Sequence, residues 1–577
     1  MSRNFVSSVK YDLHQNIKPK IAPLTVAVTG ALAATSLQAA TITVTTLNDG
    51  FASGNGQCEL RAALVAATSN AAFGDCPAGD AGLDSIVFEP GLNGTIQLDP
   101  ANAVGGFEYG ADNSTLAIGE SVEIDGDNRI TVRGTGNGRV FETKYDSDPT
   151  GFNVEDLTLS NITITNGGGE TDGGAIYSRS QNLTLDNVTL SSNSAEESGG
   201  ALWHLPNDIN ANNALTITGS TITGNSVLGT ANATGGGGAV YANVKYNGLI
   251  NINNSTISNN SSLRGDGGAL HLRGLDYSSL VFKYNTVENN AAKYAGGSGG
   301  GAFVAMSYLG ANINSNQFND NSANDNGGGL YLVESFTEPG REFAAINLND
   351  NRFYSNQATN NGGGAFISVT NGNQGTLADP TKFVDFTNTD FDANESDGTA
   401  AGLWLELGNT VTSTISEGRF SGNTSQSGNG GGAFINASST QVYVSQTYFG
   451  YNTATAGAGG GLQVSLPGST FGMEFGAFYG NSANAGCGGG LRLSSSATEM
   501  GIGQSIFYRN YASSCGGGMS MFVPTLDNAI VEFKYNEVSE NTAAGGGAGG
   551  GGIFADLGDS TTLFVKNSTI SGNEATA

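Results

Sequence analysis

A thirteen-fold internal repeat constrains the fold of this chain more than any other feature of its sequence. Each copy has apolar residues at its first, third and eighth positions and an Asn at its eleventh. In the first copy these residues are Leu183, Leu185, Leu190 and Asn193. A unit this short cannot bury its own apolar face, so successive copies have to stack on one another. The closing residues of the copies recur at intervals of 29 to 38 positions and are Asn193, Asn225, Asn260, Asn290, Asn321, Asn356, Asn394, Asn423, Asn452, Asn481, Asn510, Asn541 and Asn573.

The alternating apolar residues of each copy predict strands rather than helices. A Gly-rich turn and a second strand follow every copy but the last, as over residues 199–203. The 88 Gly among 577 residues argue against helical repeats, and thirteen copies exceed the four to eight blades of a propeller. We therefore predict an all-β fold, a right-handed parallel β-helix whose coils stack at the strand spacing of about 4.8 Å.

The repeated residues have predicted roles inside this fold. The apolar residue before the Asn is Phe in seven consecutive copies, from Phe318 to Phe507, and these rings are expected to stack inside the coil. Each recurring Asn is expected to adopt a left-handed turn conformation and to stack on the Asn of the next coil, where its amide satisfies backbone groups. The paired Gly residues of each turn allow a positive φ or close approach of two chains.

The four Cys residues predict two disulfides in an exported chain. Cys487 and Cys515 each precede a Gly-Gly-Gly in adjacent coils, so stacking places their Cα atoms about 5 Å apart, within disulfide range. Cys58 and Cys76 are paired by elimination. Metal binding by these residues is not expected, because no His lies near either pair.

The start of the chain, residues 1–39, is typical of a secretory signal peptide. Three lysines precede a moderately apolar stretch over 21–34, and small residues offer cleavage after Ala39 or Ala40. The alternative is an uncleaved membrane anchor, although the apolar stretch is short and contains threonines. No other segment is apolar enough to span a bilayer, so we predict export to the extracellular space or the outer cell surface.

Residues 40–150 lack the Gly-Gly repeat, and we assign them to an N-terminal cap and the first coils. Apolar residues at helical spacing over 59–72 predict a short helix that covers the exposed end of the stack. Residues 151–577 are assigned to the β-helix repeats.

Two segments resemble known families. Residues 58–64, followed by the alternating strand over 84–88, resemble the CSLREA-type N-terminal module of secreted bacterial β-helix proteins, with Glu59 and Ala62 where that module has Ser and Glu. The Gly-Gly-Ala-apolar and Phe-x-x-Asn pairs, such as Phe391 with Asn394, are similar to the repeats of polymorphic outer membrane proteins. The first resemblance implies secretion and a pectin-lyase-like fold, and the second implies surface display and adhesion.

The formal charge of −28 argues against some classes of binding partner. Nucleic acids and anionic membrane faces both require a basic surface, so neither is expected to bind. Solubility outside a cell, or a surface that collects cations, fits the charge.

The β-helix shape also resembles that of pectate lyases, pectin lyases and polygalacturonases, which implies an alternative enzymatic function. A lyase of this kind needs carboxylates that hold Ca²⁺ and an Arg or Lys base, and a hydrolase needs two or three close acids. The sequence has no Asp-Asp pair, and once the signal is removed His204 and His271 are its only His residues. No cofactor is expected, and the Asp-rich turns at 319–321 and 325–326 are candidate Ca²⁺ sites without the nonapeptide spacing of a calcium-binding β-roll.

Strand alternation predicts one column of outward side chains on the Gly-Gly-Ala strands. Aromatic rings in adjacent coils form a stripe that can contact a glycan or a protein, and Arg273 lies beside it; the alternative is that loops cover the rings, or that the rings only favour strand formation. The predicted column contains Tyr177, Trp203, Tyr241, His271, Val304, Tyr331, Ile367 and Trp404.

These observations predict an exported, non-catalytic rod that contacts glycans or the surfaces of other cells. A polysaccharide lyase or glycoside hydrolase acting on an acidic glycan is the enzymatic alternative, and a purely structural coat component is a third possibility.

Overall fold

The computed structural model describes residues 39–102, 112–143, 154–207, 212–229, 235–307, 310–336, 345–371, 382–408, 411–496, 499–523, 529–545 and 549–576. The predicted signal peptide therefore lies outside the described residues, except for its last position. Within them the chain forms an all-β parallel solenoid of about 13 turns, as the repeat predicts. It contains three parallel sheets, one α-helix (α1, Leu60–Ser69) and one 3₁₀ turn (Pro100–Asn102).

Sheet A is the largest sheet, because each repeat contributes two strands to it, separated by a corner. Its strands are Thr41–Val44, Asp84–Phe88, Gly94–Gln97, Val122–Arg133, Asp156–Thr165, Asn182–Asp186, Thr189–Ser191, Ala214–Thr218, Thr221–Thr223, Leu249–Asn253, Thr256–Ser258, Ser279–Lys283, Thr286–Glu288, Gly310–Asn314, Gln317–Asn319, Ala345–Asn349, Arg352–Tyr354, Lys382–Thr387, Asp390–Asp392, Val411–Ser416, Arg419–Ser421, Gln441–Ser445, Tyr448–Gly450, Thr470–Glu474, Ala477–Tyr479, Glu499–Gly503, Ile506–Tyr508, Ile530–Lys534, Glu537–Ser539, Thr562–Lys566 and Thr569–Ser571.

Sheets B and C each take one strand from a repeat. Sheet B contains Glu170–Asp172, Ser194–Ser198, Ser226–Val227, Ser261–Ser262, Ala291–Ala292, Ser322–Ala323, Gln357–Ala358, Glu395–Ser396, Thr424–Ser425, Thr453–Ala454, Ser482–Ala483, Tyr511–Ala512, Thr542–Ala543 and Glu574–Ala575. Sheet C contains Leu116–Ile118, Phe141–Thr143, Ile176–Ser178, Leu202–His204, Val240–Val244, Leu270–Gly274, Ala302–Met306, Leu330–Phe336, Ala365–Asn371, Leu403–Leu407, Ala433–Ala437, Leu462–Leu466, Leu491–Ser495, Met519–Val523 and Ile553–Leu557.

The register of the strands places equivalent residues directly above one another. Phe391, Phe420 and Phe449 are paired in successive coils, and none of the three is exposed to solvent. The seven predicted rings from Phe318 to Phe507 form one continuous stack, with centroids 4.7 to 4.9 Å apart and ring planes within 8° of parallel. The prediction of an internal Phe stack is confirmed.

The recurring Asn residues form a buried hydrogen-bonded ladder, which is also confirmed. In the coil of Asn423, the Oδ1 atom accepts hydrogen bonds from the backbone N and the Nδ2 atom of Asn394, each at 3.0 Å. The Nδ2 atom of Asn423 donates to the carbonyl oxygen of Phe391 and to Oδ1 of Asn452, each at 2.8 Å. Each amide is thus fully paired inside the solenoid.

The predicted left-handed conformation of these Asn residues is wrong by one position. The residue before the ladder Asn has the positive φ, as at Ser192 (55°), Tyr451 (56°) and Glu540 (55°). The left-handed residue turns the chain at the corner and points outward, so the next side chain is directed into the core. Asn193 is accordingly buried, with 1% of its surface exposed.

The two Gly residues of each Gly-rich turn have different roles. Gly199 has a φ of 60°, which favours glycine. Gly200 lies so close to the next coil that an added Cβ would be 2.2 Å from the carbonyl oxygen of Gly238. One glycine makes the turn and the other permits close stacking, in agreement with the prediction.

Helix α1 packs against the first strands of sheets A and C and covers that end of the stack, as predicted. It is almost wholly buried, and its Arg61 forms a buried ion pair with Asp49 at 2.8 Å. The disulfide between Cys58 and Cys76 anchors the start of the helix, and the predicted Cys487–Cys515 disulfide joins adjacent coils with Cα atoms 4.5 Å apart.

Candidate functional site

Sheet C carries an outward column of nine stacked rings, which we call the aromatic column. The column brings together all six of the predicted ring residues, and parallel pairing in register positions each ring over the next. Its members are Tyr177, Trp203, Tyr241, His271, Phe303, Tyr331, Phe366, Trp404 and Phe434.

Two members of the predicted column were wrong. Val304 and Ile367 face the core, with exposures of 2% and 0%, and the outward positions belong to Phe303 and Phe366. In these coils three glycines precede the alanine, so Ala302 occupies the inward position that a Leu holds in the neighbouring coil. The turn contains no added residue, since Gly299 and Gly267 both have the positive φ and Gly301 takes the place of Ala269; counting the alternation from the alanine therefore placed the outward residue one position late.

The rings of the aromatic column cover one another. Consecutive centroids lie 4.4 to 6.4 Å apart and most planes are nearly parallel. At one end the Arg139 guanidinium lies 4.3 Å from the Tyr177 ring centroid, and at the other Gln463, 7% exposed, follows Phe434. Ring edges rather than ring faces are therefore turned towards solvent, whereas stacking on a sugar requires a free face.

Arg273 and the two His residues are not arranged as a catalytic set. Arg273 is exposed in the neighbouring outward column, between Asn243 and Ala305. His204 points into the core, and Ser178 lies 3.2 Å from its Nδ1 atom. Burial lowers the pKa of both His204 and His271 to about 3, so each imidazole is neutral and enclosed at neutral pH.

We expect His271 to reduce stability in acid. Its pKa is about 6.5 when unfolded and about 3 when folded, so between these pH values only the unfolded state is protonated and stability falls as pH falls. In His271→Phe, which keeps an aromatic ring in the stack, the free energy of unfolding measured with urea should fall less steeply as pH falls, by up to about 1.4 kcal/mol per pH unit. If the free energy of unfolding falls equally steeply in the variant and the native chain between pH 6.5 and pH 4, this assignment is wrong. Above pH 8 histidine is neutral in both the folded and the unfolded state, so it should contribute no pH dependence in either protein.

The Asp-rich turns are only partly available to a cation. Asn321 belongs to the buried ladder, with its Oδ1 atom 3.0 Å from Nδ2 of Asn290, so its side chain is withdrawn from the turn. Asp325 accepts hydrogen bonds from Ser298 and Asn360. Among the described residues, no three or more His, Cys, Asp and Glu side chains are grouped to hold a metal ion.

A groove lies on the outer face of sheet A, and we call it the lateral groove. It has a volume of about 800 Å³ and continues into a smaller depression of about 280 Å³. One outward column crosses it in the order Tyr443, Gly472, Gly501 and Glu532. Because the two central positions carry no side chain, the sheet itself forms the floor.

The floor of the lateral groove is open at Gly501, whereas at Gly472 the ring of Tyr443 covers it. A Cβ added to Gly501 would meet no atom within 4 Å, whereas one added to Gly472 would lie 2.8 Å from the ring of Tyr443. Tyr443 and Tyr535, at opposite ends of the groove, are 39% and 61% exposed. Both rings thus present apolar surface beside an open floor.

Carboxylates surround this floor. Glu474, Glu499 and Glu532 line the two depressions together with a single lysine, Lys534. The Tyr443 hydroxyl donates to Oε2 of Glu474 at 3.0 Å, and burial together with this carboxylate raises the pKa of Tyr443. Lys534 Nζ lies 2.5 Å from Oε2 of Glu532.

The lateral groove was not predicted from the sequence. Its detectable signal is the presence of Gly472 and Gly501 at equivalent outward positions of consecutive coils, where the coils on either side have Tyr443 and Glu532. The signal becomes visible only after the coils are aligned by register.

Comparison of this chain with protein-family models, with curated proteins and with solved structures found no match. In the described residues, no helix combines the length and apolarity that crossing a bilayer requires.

Proposed function

We propose that this chain is an exported, non-catalytic β-solenoid rod that binds a glycan in the lateral groove. The observation that carries the proposal is the open glycine floor between two exposed tyrosine rings, Tyr443 and Tyr535. Aromatic rings supply stacking surface for sugar rings, and carboxylates accept hydrogen bonds from sugar hydroxyls. The repeated coils give a rigid scaffold for such a site.

Export is supported by features at both ends of the chain. The signal-like segment over 1–39 and the resemblance of 58–64 to the CSLREA-type module of secreted, pectin-lyase-like β-helix proteins favour secretion. The disulfides Cys58–Cys76 and Cys487–Cys515 are typical of oxidising compartments. An adhesin-like role at a cell surface accords with the similarity of the repeats to those of polymorphic outer membrane proteins.

The enzymatic alternative, a lyase or hydrolase acting on an acidic glycan, is less well supported. A basic residue for proton abstraction would have to lie beside the bound sugar. The lateral groove offers Lys534, which is engaged with Glu532, and both His residues of the described chain are buried elsewhere.

We expect Gly501→Tyr to weaken glycan binding at least about tenfold, because the new ring occupies the floor at a position where an added Cβ meets no atom within 4 Å. A glycan array would identify the best ligand, and calorimetry with that ligand would compare the variants. Gly310→Tyr is the matched control, since it adds the same ring to an open outward position of sheet A outside the groove.

If Gly501→Tyr still binds the glycan and Trp404→Ala does not, the glycan site lies in the aromatic column and not in the lateral groove. Release of shortened or unsaturated products from polygalacturonate, with or without Ca²⁺, would support the enzymatic alternative instead.

A further inference from the structure

We propose that the lateral groove selects oligosaccharides of amino sugars, whose ammonium groups pair with the carboxylates around the glycine floor. This inference rests on the proposed function, in which the groove is the glycan site, and it specifies the chemical class of the ligand.

The dimensions of the groove fit a short oligosaccharide. Tyr443 and the coil of Tyr535 are separated by three coil steps, since the pairing runs from Tyr443 through Gly472 and Gly501 to Glu532. At the usual strand spacing this distance is about 14 Å. A chain lying along the solenoid axis can therefore contact both rings while its middle unit rests on the open floor.

The charges of the groove set the selectivity. Three carboxylates face one ammonium group, and that ammonium is already paired with Glu532. Glu499 forms no ion pair with any described residue, and Glu474 receives a hydrogen bond from the uncharged Tyr443 hydroxyl. Two exposed carboxylates beside the floor are thus available to cationic donors.

A sugar ammonium gains charge-assisted hydrogen bonds at these positions, whereas a sugar carboxylate is repelled by them. The formal charge of −28 over the whole chain acts in the same direction, because it raises the local concentration of a cationic ligand. The same groove therefore disfavours the acidic glycans that the enzymatic alternative would require.

The test compares three probes of equal length on the mature chain by calorimetry: a glucosamine hexamer, an N-acetylglucosamine hexamer and a galacturonate hexamer. At low salt and at a pH where the amines are charged, we expect the glucosamine hexamer to bind at least about tenfold more tightly than the N-acetylated one. The galacturonate hexamer should bind most weakly, and the preference should shrink as salt is raised.

The variants Glu474→Gln and Glu499→Gln should each reduce the preference for the glucosamine hexamer about threefold or more and leave binding of the N-acetylated hexamer nearly unchanged. Glu288→Gln, on the outer face of sheet A away from the groove, is the matched control and should change neither.

Equal or tighter binding of the N-acetylated hexamer would overturn the inference and leave the proposed glycan site intact. Tightest binding of the galacturonate hexamer would also overturn it. Absence of binding by every hexamer, together with an empty glycan array, would overturn both the inference and the proposed function.

Discussion

Replacing Asn423 with alanine is expected to lower the free energy of unfolding by about 3 to 9 kcal/mol. The change removes the acceptor of two Asn394 donors and the donor to the Phe391 carbonyl, all of them buried. Each buried polar group left without a partner costs about 1 to 3 kcal/mol, which gives the expected range. Urea unfolding followed by circular dichroism measures the change.

The control for this prediction is Asn182→Ala, which removes an exposed side-chain bond to Asp156 on the outer face of sheet A. It should cost less than about 0.5 kcal/mol. If the two variants unfold at the same urea concentration, the ladder contributes nothing beyond an ordinary surface contact, and its assigned role is wrong. Aspartate at position 423 should be worse than alanine, because it adds a buried charge.

Replacing Phe420 with alanine is expected to cost about 3 to 5 kcal/mol. The ring is fully buried and stacks on Phe391 and Phe449, each with centroids 4.9 Å away, so its removal opens a cavity in the middle of the stack. The backbone hydrogen bonds to the coils on both sides limit collapse into this space. The urea midpoint measures the loss, and limited proteolysis shows whether the damage stays in neighbouring coils.

Phe475→Ala provides the comparison, since that ring is 48% exposed at a corner and contributes little buried area. A Phe420→Ala chain as stable as Phe475→Ala would mean that the stack does not carry the core. In a solenoid each coil contacts mainly its neighbours, so the loss should be similar at Phe391 or Phe449.

The repeat predicted the parts of the fold that recur identically in every coil. Phe420 was assigned to the interior and Asn423 to a stacked amide ladder because the same residue types return at the same offset, and stacking then gives each one the same environment. The left-handed corner was placed one residue late, since the side chain that enters the core and the backbone that turns belong to neighbouring positions. Local composition could not separate the two.

The surface was harder to predict, because it depends on register between coils of unequal length. Ala302 takes the inward position that Leu270 has in the preceding coil, so Phe303 faces outward and Val304 inward, and alternation counted from the alanine missed this. The lateral groove depends on an absence of side chains at Gly472 and Gly501, and within one coil a glycine in a strand suggests only weak strand propensity. The groove becomes apparent only when the coils are aligned, because the two glycines then lie between Tyr443 and Glu532.

The buried Asn amides all point the same way, and this gives the rod an electrical direction. From Asn193 to Asn541, Nδ2 donates to the Oδ1 atom of the following coil, so the side-chain dipoles add along the axis, whereas the alternating peptide dipoles within each strand cancel in that direction. Each polarised amide strengthens the next one. A coil joining on the N-terminal side must bring a donor, and one joining on the C-terminal side must bring an oxygen, so the two faces of a coil are not interchangeable as templates for growth.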